Sequence, residues 1–162
     1  MKEPKKIRPR GLADYLEVIT RAVFQAGMHW GVIEAKWPGF LEVFHGFDPE
    51  TVAAFDLADI DALATDTRVV RNRPKLEATV TNARTLLRFE DIDGFKRWLR
   101  CHGDYDATVK ALKSEFRYIG DSSAYYFLYV VRERVPDFET WAAQRGITPR
   151  TPDTTKTKTR TR

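Results

Sequence analysis

The sequence has little cysteine, little histidine and no long apolar run. Of its 162 residues only Cys101 is a cysteine and three are histidines, which excludes a disulfide scaffold and a metal site built from several cysteines. No apolar run approaches the roughly 20 residues of a transmembrane helix, and the first residues lack the apolar segment of a secretory signal. We therefore expect a cytoplasmic protein that contacts no membrane and holds no metal or other cofactor.

The residues that are present fit one folded domain. Apolar residues make up 43% of the chain and aromatic residues 12%, which is enough for a hydrophobic core at this length. The net charge of +4 comes from the ends, because residues 1–10 and residues 150–162 each carry five basic residues and one acidic residue. Residues 11–149 keep 17 basic and 21 acidic residues. The overall basicity is therefore poor evidence that the folded part binds nucleic acid.

Composition divides the chain into three regions. Residues 1–10 are predicted to be a flexible basic N-terminus and residues 11–147 a helical domain. Residues 148–162 are basic and rich in threonine, and no apolar residue follows Ile147, so we expect this tail to be disordered. The tail either keeps the protein in solution or attracts phosphate, and the second role would weaken as salt rises.

Helical signals run through residues 11–147. Apolar residues recur at a spacing of three to four. Helix starts are marked at Asp48, at either Asp56 or Asp59, at Pro74 and at Asp137. The apolar run 124–131 fits either a buried strand or a buried helix, and the lack of alternating partner strands favours the helix. These signals predict about eight helices and an all-α fold.

Six of the basic residues lie close together in residues 68–88, against one acidic residue. They form either a solvated helix face or a phosphate-binding surface. The second interpretation uses the free backbone N–H groups of the helix that starts near Pro74. Arg71, Arg73 and Lys75 are the candidate DNA contacts.

Several short segments occur in a defined order along the chain. They are Phe24–Trp30, Phe44–Ala53, Val69–Leu76, Thr81–Arg84 and Phe116–Tyr125. Together they resemble the DNA-3-methyladenine glycosylase I family over most of the folded part. The resemblance implies a helical fold of the helix-hairpin-helix DNA glycosylase type. It also implies a repair enzyme that flips a damaged base out of double-stranded DNA and hydrolyses its N-glycosidic bond.

The resemblance assigns a hairpin to the segment around Gly120. There Gly120, Ser122 and Ser123 correspond to the place where backbone amides at a helix N-terminus hold a DNA phosphate. Asp121 would repel that phosphate unless it points away. An ordinary capped turn is the alternative interpretation.

The resemblance assigns a base pocket to the segment that contains Gln25, Met28 and Trp30. Met28 corresponds to an apolar wedge that fills the gap left by the flipped base, Trp30 to a tryptophan that stacks on that base, and Gln25 to a supporting residue. Without the resemblance, Met28 and Trp30 are ordinary core residues.

The sequence departs from the family at two places. Ala22 stands where the family has a glutamate that reads the base, and a methyl group can neither hydrogen-bond a base nor favour a cationic alkylpurine. The zinc ligands of the family have no counterparts, so we expect no zinc site. Apolar packing by Phe138, Trp141 and Ile147 is the expected substitute for joining the two ends of the domain.

Two polar residues are candidates for catalysis. Asp137 follows the hairpin, where a carboxylate can stabilise an oxocarbenium-like state or activate water; it can equally cap a helix. His29 precedes Trp30 and is either a base or phosphate contact or a structural histidine. Glu17 and Glu34 are further candidates for the pocket rim.

Three functions remain compatible with these features. The favoured one is a monomeric DNA glycosylase acting on an alkylated purine such as 3-methyladenine. The second is a relative that binds DNA but is catalytically inactive. The third is an interaction module that binds no DNA, which the negative charge of residues 11–149 permits.

Overall fold

A computed structural model describes residues 3–147 of the chain. This part contains nine α-helices, one short 3-10 turn and no β-strand. The helices are α1 Leu12–Gln25, α2 Trp30–Val43, α3 Pro49–Ala53, α4 Leu57–Leu63, α5 Arg73–Leu87, α6 Ile92–Leu99, α7 Tyr105–Glu115, α8 Asp121–Val130 and α9 Phe138–Gln144. The predicted all-α fold is confirmed, with one helix more than expected. No helix in residues 3–147 has the length and apolar character to cross a membrane.

Aspartate side chains begin most of the shorter helices. At the start of α3, Asp48 Oδ2 accepts a hydrogen bond from the backbone N–H of Thr51 at 3.1 Å, and Asp56 and Asp59 form a reciprocal capping box on α4. The same kind of cap starts α6, α7 and α9, from Asp91, Asp104 and Asp137. Each such cap stabilises a helix by about 1 kcal/mol. Many acidic residues of the folded part therefore have a local structural role.

Helix α2 is not predicted by the sequence pattern. It contains Pro38 and two glycines in its interior or first turn, and both residue types disfavour helix. Tertiary packing overrides this preference, because Trp37 stacks on Phe40 with ring centroids 4.9 Å apart and both rings are buried. Gly39 is required for a close approach, since a Cβ there would overlap the carbonyl group of Arg68.

Helix α8 is largely buried, with six of its ten residues in the interior. The apolar run 124–131 continues as helix through Val130, so the helical interpretation is confirmed. Helix α8 packs against α1 and α7, and α1 also packs against α5. Phe127 and Leu128 are almost completely buried in this contact. The arrangement leaves the first turn of α8 at the surface, beside the C-terminal end of α1.

The N-terminal segment lies against the other end of α8. The backbone N–H of Ile7 donates to the carbonyl of Val130 at 2.8 Å, and the Lys6 ammonium group lies 4.6 Å from the ring centroid of Tyr129. The flexibility predicted for residues 1–10 stays a prediction.

The last helix, α9, packs against α8 through aromatic rings. Trp141 is buried, with its ring centroid 4.5 Å from that of Tyr125, and Phe138 lies 5.7 Å from Tyr125 while staying half exposed. Ile147 is partly exposed and its N–H donates to Ala142. Both ends of the folded part thus contact α8. The predicted disordered tail, residues 148–162, lies outside the described residues.

One buried side chain fixes the turn that leads from α7 into α8. Asn82 on α5 accepts a hydrogen bond from the Arg117 N–H at 2.8 Å and donates one to the Arg117 carbonyl at 3.3 Å. The next residue, Tyr118, has a left-handed backbone with φ 58°. Because a buried amide that uses both its donor and its acceptor tolerates few alternatives, Asn82 sets the direction in which the chain enters α8.

Replacing Asn82 with aspartate tests this role. Asn82→Asp keeps the acceptor for the Arg117 N–H but sets a carboxylate oxygen against the Arg117 carbonyl. We expect the free energy of unfolding to fall by about 1–3 kcal/mol in urea titrations at neutral pH. Asn72→Asp is the matched control, because Asn72 only accepts a bond from the Lys75 N–H at the start of α5 and aspartate caps equally well. Equal losses in the two variants would contradict the assignment.

Candidate functional site

A cavity of about 550 Å³ lies between the turn that follows α1 and the first turns of α8. Its walls come from the end of α1, the start of α2 and one face of α8. The lining residues are Ala22, Gln25, Ala26, Gly27, Met28, His29, Trp30, Ser122, Ser123 and Tyr126. The predicted pocket residues and the two predicted hairpin serines, which are about 90 positions apart in sequence, therefore share one site.

The turn between α1 and α2 is held by the protein itself. Gly27 adopts φ 71°, a left-handed conformation that favours glycine after a helix end. The Lys75 ammonium group donates to the Ala26 carbonyl at 2.7 Å. His29 Nδ1 accepts the Gly31 N–H at 3.2 Å and thereby caps α2. These contacts give the base-pocket segment a defined shape.

Met28 and Trp30 lie differently in the cavity. Met28 is half buried and packs against the core, so its side chain forms part of the cavity wall. Trp30 is 37% exposed and meets Tyr126 edge to face, with ring centroids 5.5 Å apart. The Trp30 ring is therefore accessible at the rim, as a stacking residue must be, while a wedge role for Met28 stays a prediction.

Ala22 lies in the cavity wall, at the position where the resemblance expects a glutamate. It is buried, and its carbonyl accepts a hydrogen bond from Ser123 Oγ at 3.3 Å. In the described part of the chain, the residues that line the cavity include no aspartate or glutamate. Glu17 accepts a bond from Trp37 Nε1 at 3.0 Å, and neither Glu17 nor Glu34 reaches the cavity lining.

The first turn of α8 is open to a ligand. Its N-cap is Gly120, which has no side chain to accept from the first-turn N–H groups, unlike the aspartates at other helices. A Cβ built at Gly120 meets no atom within 4 Å, and the backbone there is ordinary, with φ −100°. No contact within residues 3–147 requires glycine at this position. Close approach of an anion to the free N–H groups would require it, because a side chain there would stand in the way.

Asp121 is drawn away from this opening by two cations. Its carboxylate lies 2.9 Å from Lys113 Nζ and 3.6 Å from Arg145 Nε. The hydrogen bond from Lys113 lowers the pKa of Asp121; burial acts in the opposite direction, and the charges of Lys113 and Arg145 lower the pKa further. Asp121 therefore stays ionised near neutral pH, and its charge is balanced by side chains on α7 and after α9.

The basic residues predicted to contact DNA have other partners. Arg73 forms ion pairs with Asp61 at 2.6 Å and Glu77 at 3.0 Å. Lys75 is buried, which lowers its pKa, and it holds the turn after α1 rather than a phosphate. Arg71 is exposed, and no ion pair within residues 3–147 involves it. Arg73 and Lys75 are thus engaged within the protein in this structure, and a phosphate-binding role for Arg71, Arg73 and Lys75 stays a prediction.

Both catalytic candidates begin a helix in this fold. Asp137 Oδ2 accepts the Thr140 N–H at 3.1 Å, so it caps α9, and it does not line the cavity. This placement agrees with the interpretation of Asp137 as a helix cap, and its catalytic role stays a prediction. His29 lines the cavity, but the ring nitrogen Nδ1 is engaged at the start of α2, which leaves only Nε2 for a ligand.

The described residues do not fit the zinc site that the resemblance implies. Cys101 is exposed, and its Sγ lies 3.9 Å from the ring nitrogens of the adjacent His102. Across residues 3–147 no group of three histidine, cysteine, aspartate or glutamate side chains is placed to hold a metal ion. The expectation of a metal-free protein stays a prediction.

Sequence reasoning missed two residues of the site region. Tyr126 belongs to an apolar run in which no residue stands out, and only its position four after Ser122 would have suggested a shared helix face. Asn82 lies in a recognised motif, but its bonds to Arg117 span 35 positions and have no local signal.

Comparison with known proteins identifies the family. The sequence model of the methyladenine glycosylase family matches residues 12–124. The DNA-3-methyladenine glycosylase of Haemophilus influenzae is 41% identical over 66 residues, which is 41% of this chain and 36% of that protein. The matched stretch therefore spans little more than a third of that curated relative.

Solved structures agree with the sequence match. A crystal structure of 3-methyladenine DNA glycosylase I has a TM-score of 0.67 and 26% identity, and the alignment covers 77% of this chain and 81% of that one. A variant of 3-methyladenine DNA glycosylase I in complex with 3-methyladenine has a TM-score of 0.64 and 25% identity over 80% of this chain and 79% of that one. From the family match over residues 12–124 and this agreement in fold, we conclude that the chain belongs to the methyladenine glycosylase family.

Proposed function

We propose that this protein is a base-excision repair DNA glycosylase. Its substrate in this proposal is an alkylated purine such as 3-methyladenine, flipped out of double-stranded DNA. The observation that carries the proposal is the single cavity shared by the Trp30 segment and the open first turn of α8. The glycosylase relatives and the structural neighbour that holds 3-methyladenine support it. A monomeric state and a cytoplasmic location are part of the same proposal.

The two sides of the cavity suit two parts of a nucleotide. The N–H groups at the start of α8, together with Ser122, offer donors to a backbone phosphate. The Trp30 ring at the rim offers a surface on which a flipped base stacks. A volume of about 550 Å³ lies within the range of roughly 300–1,000 Å³ that small-molecule sites occupy. The site therefore holds a base while the phosphate beside it is anchored.

The lack of a carboxylate in the cavity lining is compatible with an alkylated purine. Alkylation of a ring nitrogen gives the base a positive charge, so the base leaves as a neutral molecule when its bond to C1′ breaks and takes the electron pair. Such a leaving group needs no proton from the enzyme. Water then adds to the oxocarbenium carbon and gives its proton to solvent. In this scheme the protein contributes base extrusion, orientation and exclusion of bulk water.

A catalytically inactive DNA-binding protein is the second candidate. It is favoured by Ala22 in the cavity wall and by the placement of Asp137 at the start of α9, away from the cavity. Such a protein would keep the phosphate contacts of α8 and release no base.

Incubation with methylated duplex DNA separates the two candidates. We expect the purified protein to release 3-methyladenine, measured by chromatography of the free bases. Trp30→Ala should lower the rate at least tenfold, because it removes the stacking ring. Val32→Ala, on the same helix and similarly exposed, should retain the wild-type rate. If the wild-type protein binds the duplex and frees no base at enzyme excess, the inactive binding protein is the correct description.

A negative charge at the open helix end should weaken DNA binding. Gly120→Asp adds a carboxylate where the structure has free space, so we expect the fold to persist and duplex affinity to fall at least tenfold in fluorescence anisotropy. Gly11→Asp is the matched control, because Gly11 is the N-cap of α1 and also has no atom within 4 Å of a built Cβ. Equal losses for the two variants would indicate a general charge effect and remove α8 from the interface.

Removing the charge of Asp121 should have the opposite effect. Asp121→Asn takes away an anion beside the proposed phosphate and releases Lys113 and Arg145 from their ion pairs. We expect duplex affinity at about 0.1 M salt to rise three- to tenfold, with a salt dependence steeper by about one released counterion. Asp93→Asn in the first turn of α6 makes the same charge change elsewhere. The idea fails if that control gains as much affinity.

A further inference from the structure

Tyr126 is the cavity residue to which neither the motifs nor the proposed chemistry gives a role. It follows Ser122 by four positions on α8, so the two side chains share one helix face, and both line the cavity. Its ring meets Trp30 edge to face at 5.5 Å. The phenol is therefore placed between the proposed phosphate contacts and the proposed stacking ring.

The groups behind the Tyr126 hydroxyl come from α1. Burial raises the pKa of this phenol, and the guanidinium of Arg21 and the carboxamide of Gln25 act in the opposite direction through their donor groups. Arg21 and Gln25 are four positions apart, on the same face of α1. Arg21 is itself held by stacking over the Trp37 ring, with its guanidinium carbon 4.4 Å from the centroid.

These neighbours determine whether the Tyr126 hydroxyl is free to donate a hydrogen bond. A guanidinium has only donors, so Arg21 can contact only the lone pairs of the phenol oxygen and leaves its proton free. A phenol is protonated at neutral pH, and burial raises the pKa of Tyr126 further, so the proton is present. Within residues 3–147 no hydrogen bond uses this hydroxyl as the donor. The neighbouring Gln25 carboxamide has an oxygen that is buried and has no hydrogen-bond partner among the described residues. A ligand in the cavity is the second acceptor that this hydroxyl can use.

We propose that Tyr126 is a specificity-determining residue of this cavity, whose hydroxyl donates a hydrogen bond to an unprotonated ring nitrogen of the bound purine. The proposal rests on the proposed function for the identity of the ligand as a base. In a cavity lined by no carboxylate, this donor reads an acceptor atom on the edge of the base. It favours purines with a free ring nitrogen there and rejects analogues in which that nitrogen is replaced by C–H.

Binding of free 3-methyladenine to the full chain, followed by calorimetry, tests the proposal without DNA or turnover. Tyr126→Phe should weaken binding about tenfold, the effect of one lost hydrogen bond. Tyr129→Phe is the matched control, because Tyr129 lies on the same helix and contacts the N-terminal segment instead. It should bind the base as the wild type does.

Deaza analogues provide a second measurement that needs no variant. Wild-type protein should lose about tenfold in affinity for either 1-deaza- or 7-deaza-3-methyladenine, and Tyr126→Phe should bind that analogue and the parent base equally. Parent-base affinity unchanged in Tyr126→Phe, equal wild-type affinity for all three bases, or no binding of 3-methyladenine by the wild type would each overturn the assignment.

The two proposals can fail separately. If the free base binds as expected but no base is released from methylated DNA, the proposed enzyme activity is wrong and the role of Tyr126 stands. If base is released while Tyr126→Phe binds 3-methyladenine as tightly as the wild type, the activity stands and the role of Tyr126 is wrong.

Discussion

The structure depends on one constraint, which is that helix α8 is enclosed along its flanks and open at its first turn. Its apolar residues pack against α1 and α7, and both ends of the folded part contact it. Backbone N–H groups at a helix start need an acceptor, and Gly120 has no side chain to provide one. The core therefore fixes a set of donors at the surface, and α1 places the Trp30 segment beside them.

Ion pairs within the protein determine how many of its basic side chains are left to contact a ligand. The cations of residues 68–88 are largely used within the protein: Arg68 pairs with Glu42 and Asp66, Arg73 with Asp61 and Glu77, and Arg84 donates to the carbonyls of Ala53 and Phe55. Surface pairs of this kind contribute little to stability. Their effect here is to leave the electrostatics of the cavity to a few groups, namely the α8 donors, Asp121 with its two cations, and Arg21 behind Tyr126.

The sequence predicts which segments form the site, but it does not predict the contacts that individual side chains make there. The ordered motifs point to five residues that the structure brings to one cavity, namely Gln25, Met28, Trp30, Ser122 and Ser123. The cluster of cations predicts a phosphate contact for Lys75, and the position after the hairpin makes Asp137 a catalytic candidate or a helix cap; in the structure both side chains bond backbone groups. The sequence does not single out Tyr126, because a run that is apolar on all sides does not show which residue faces a cavity. It does not predict helix α2 either, because Pro38 and Gly39 are poor helix formers that only packing accommodates.

The sequence by itself determined the all-α architecture, some of the aspartate caps, such as Asp48, and the membership of the motif-bearing segments in one family pattern. These features are local, since a cap or an amphipathic turn spans about four residues. Only the tertiary structure decided which charges neutralise each other, which tyrosine faces the cavity and how the hairpin is oriented. Those outcomes rest on contacts between distant positions, such as Asn82 with Arg117 and Ser123 with Ala22, and a hydrogen bond across 35 or 101 positions has no counterpart in local sequence.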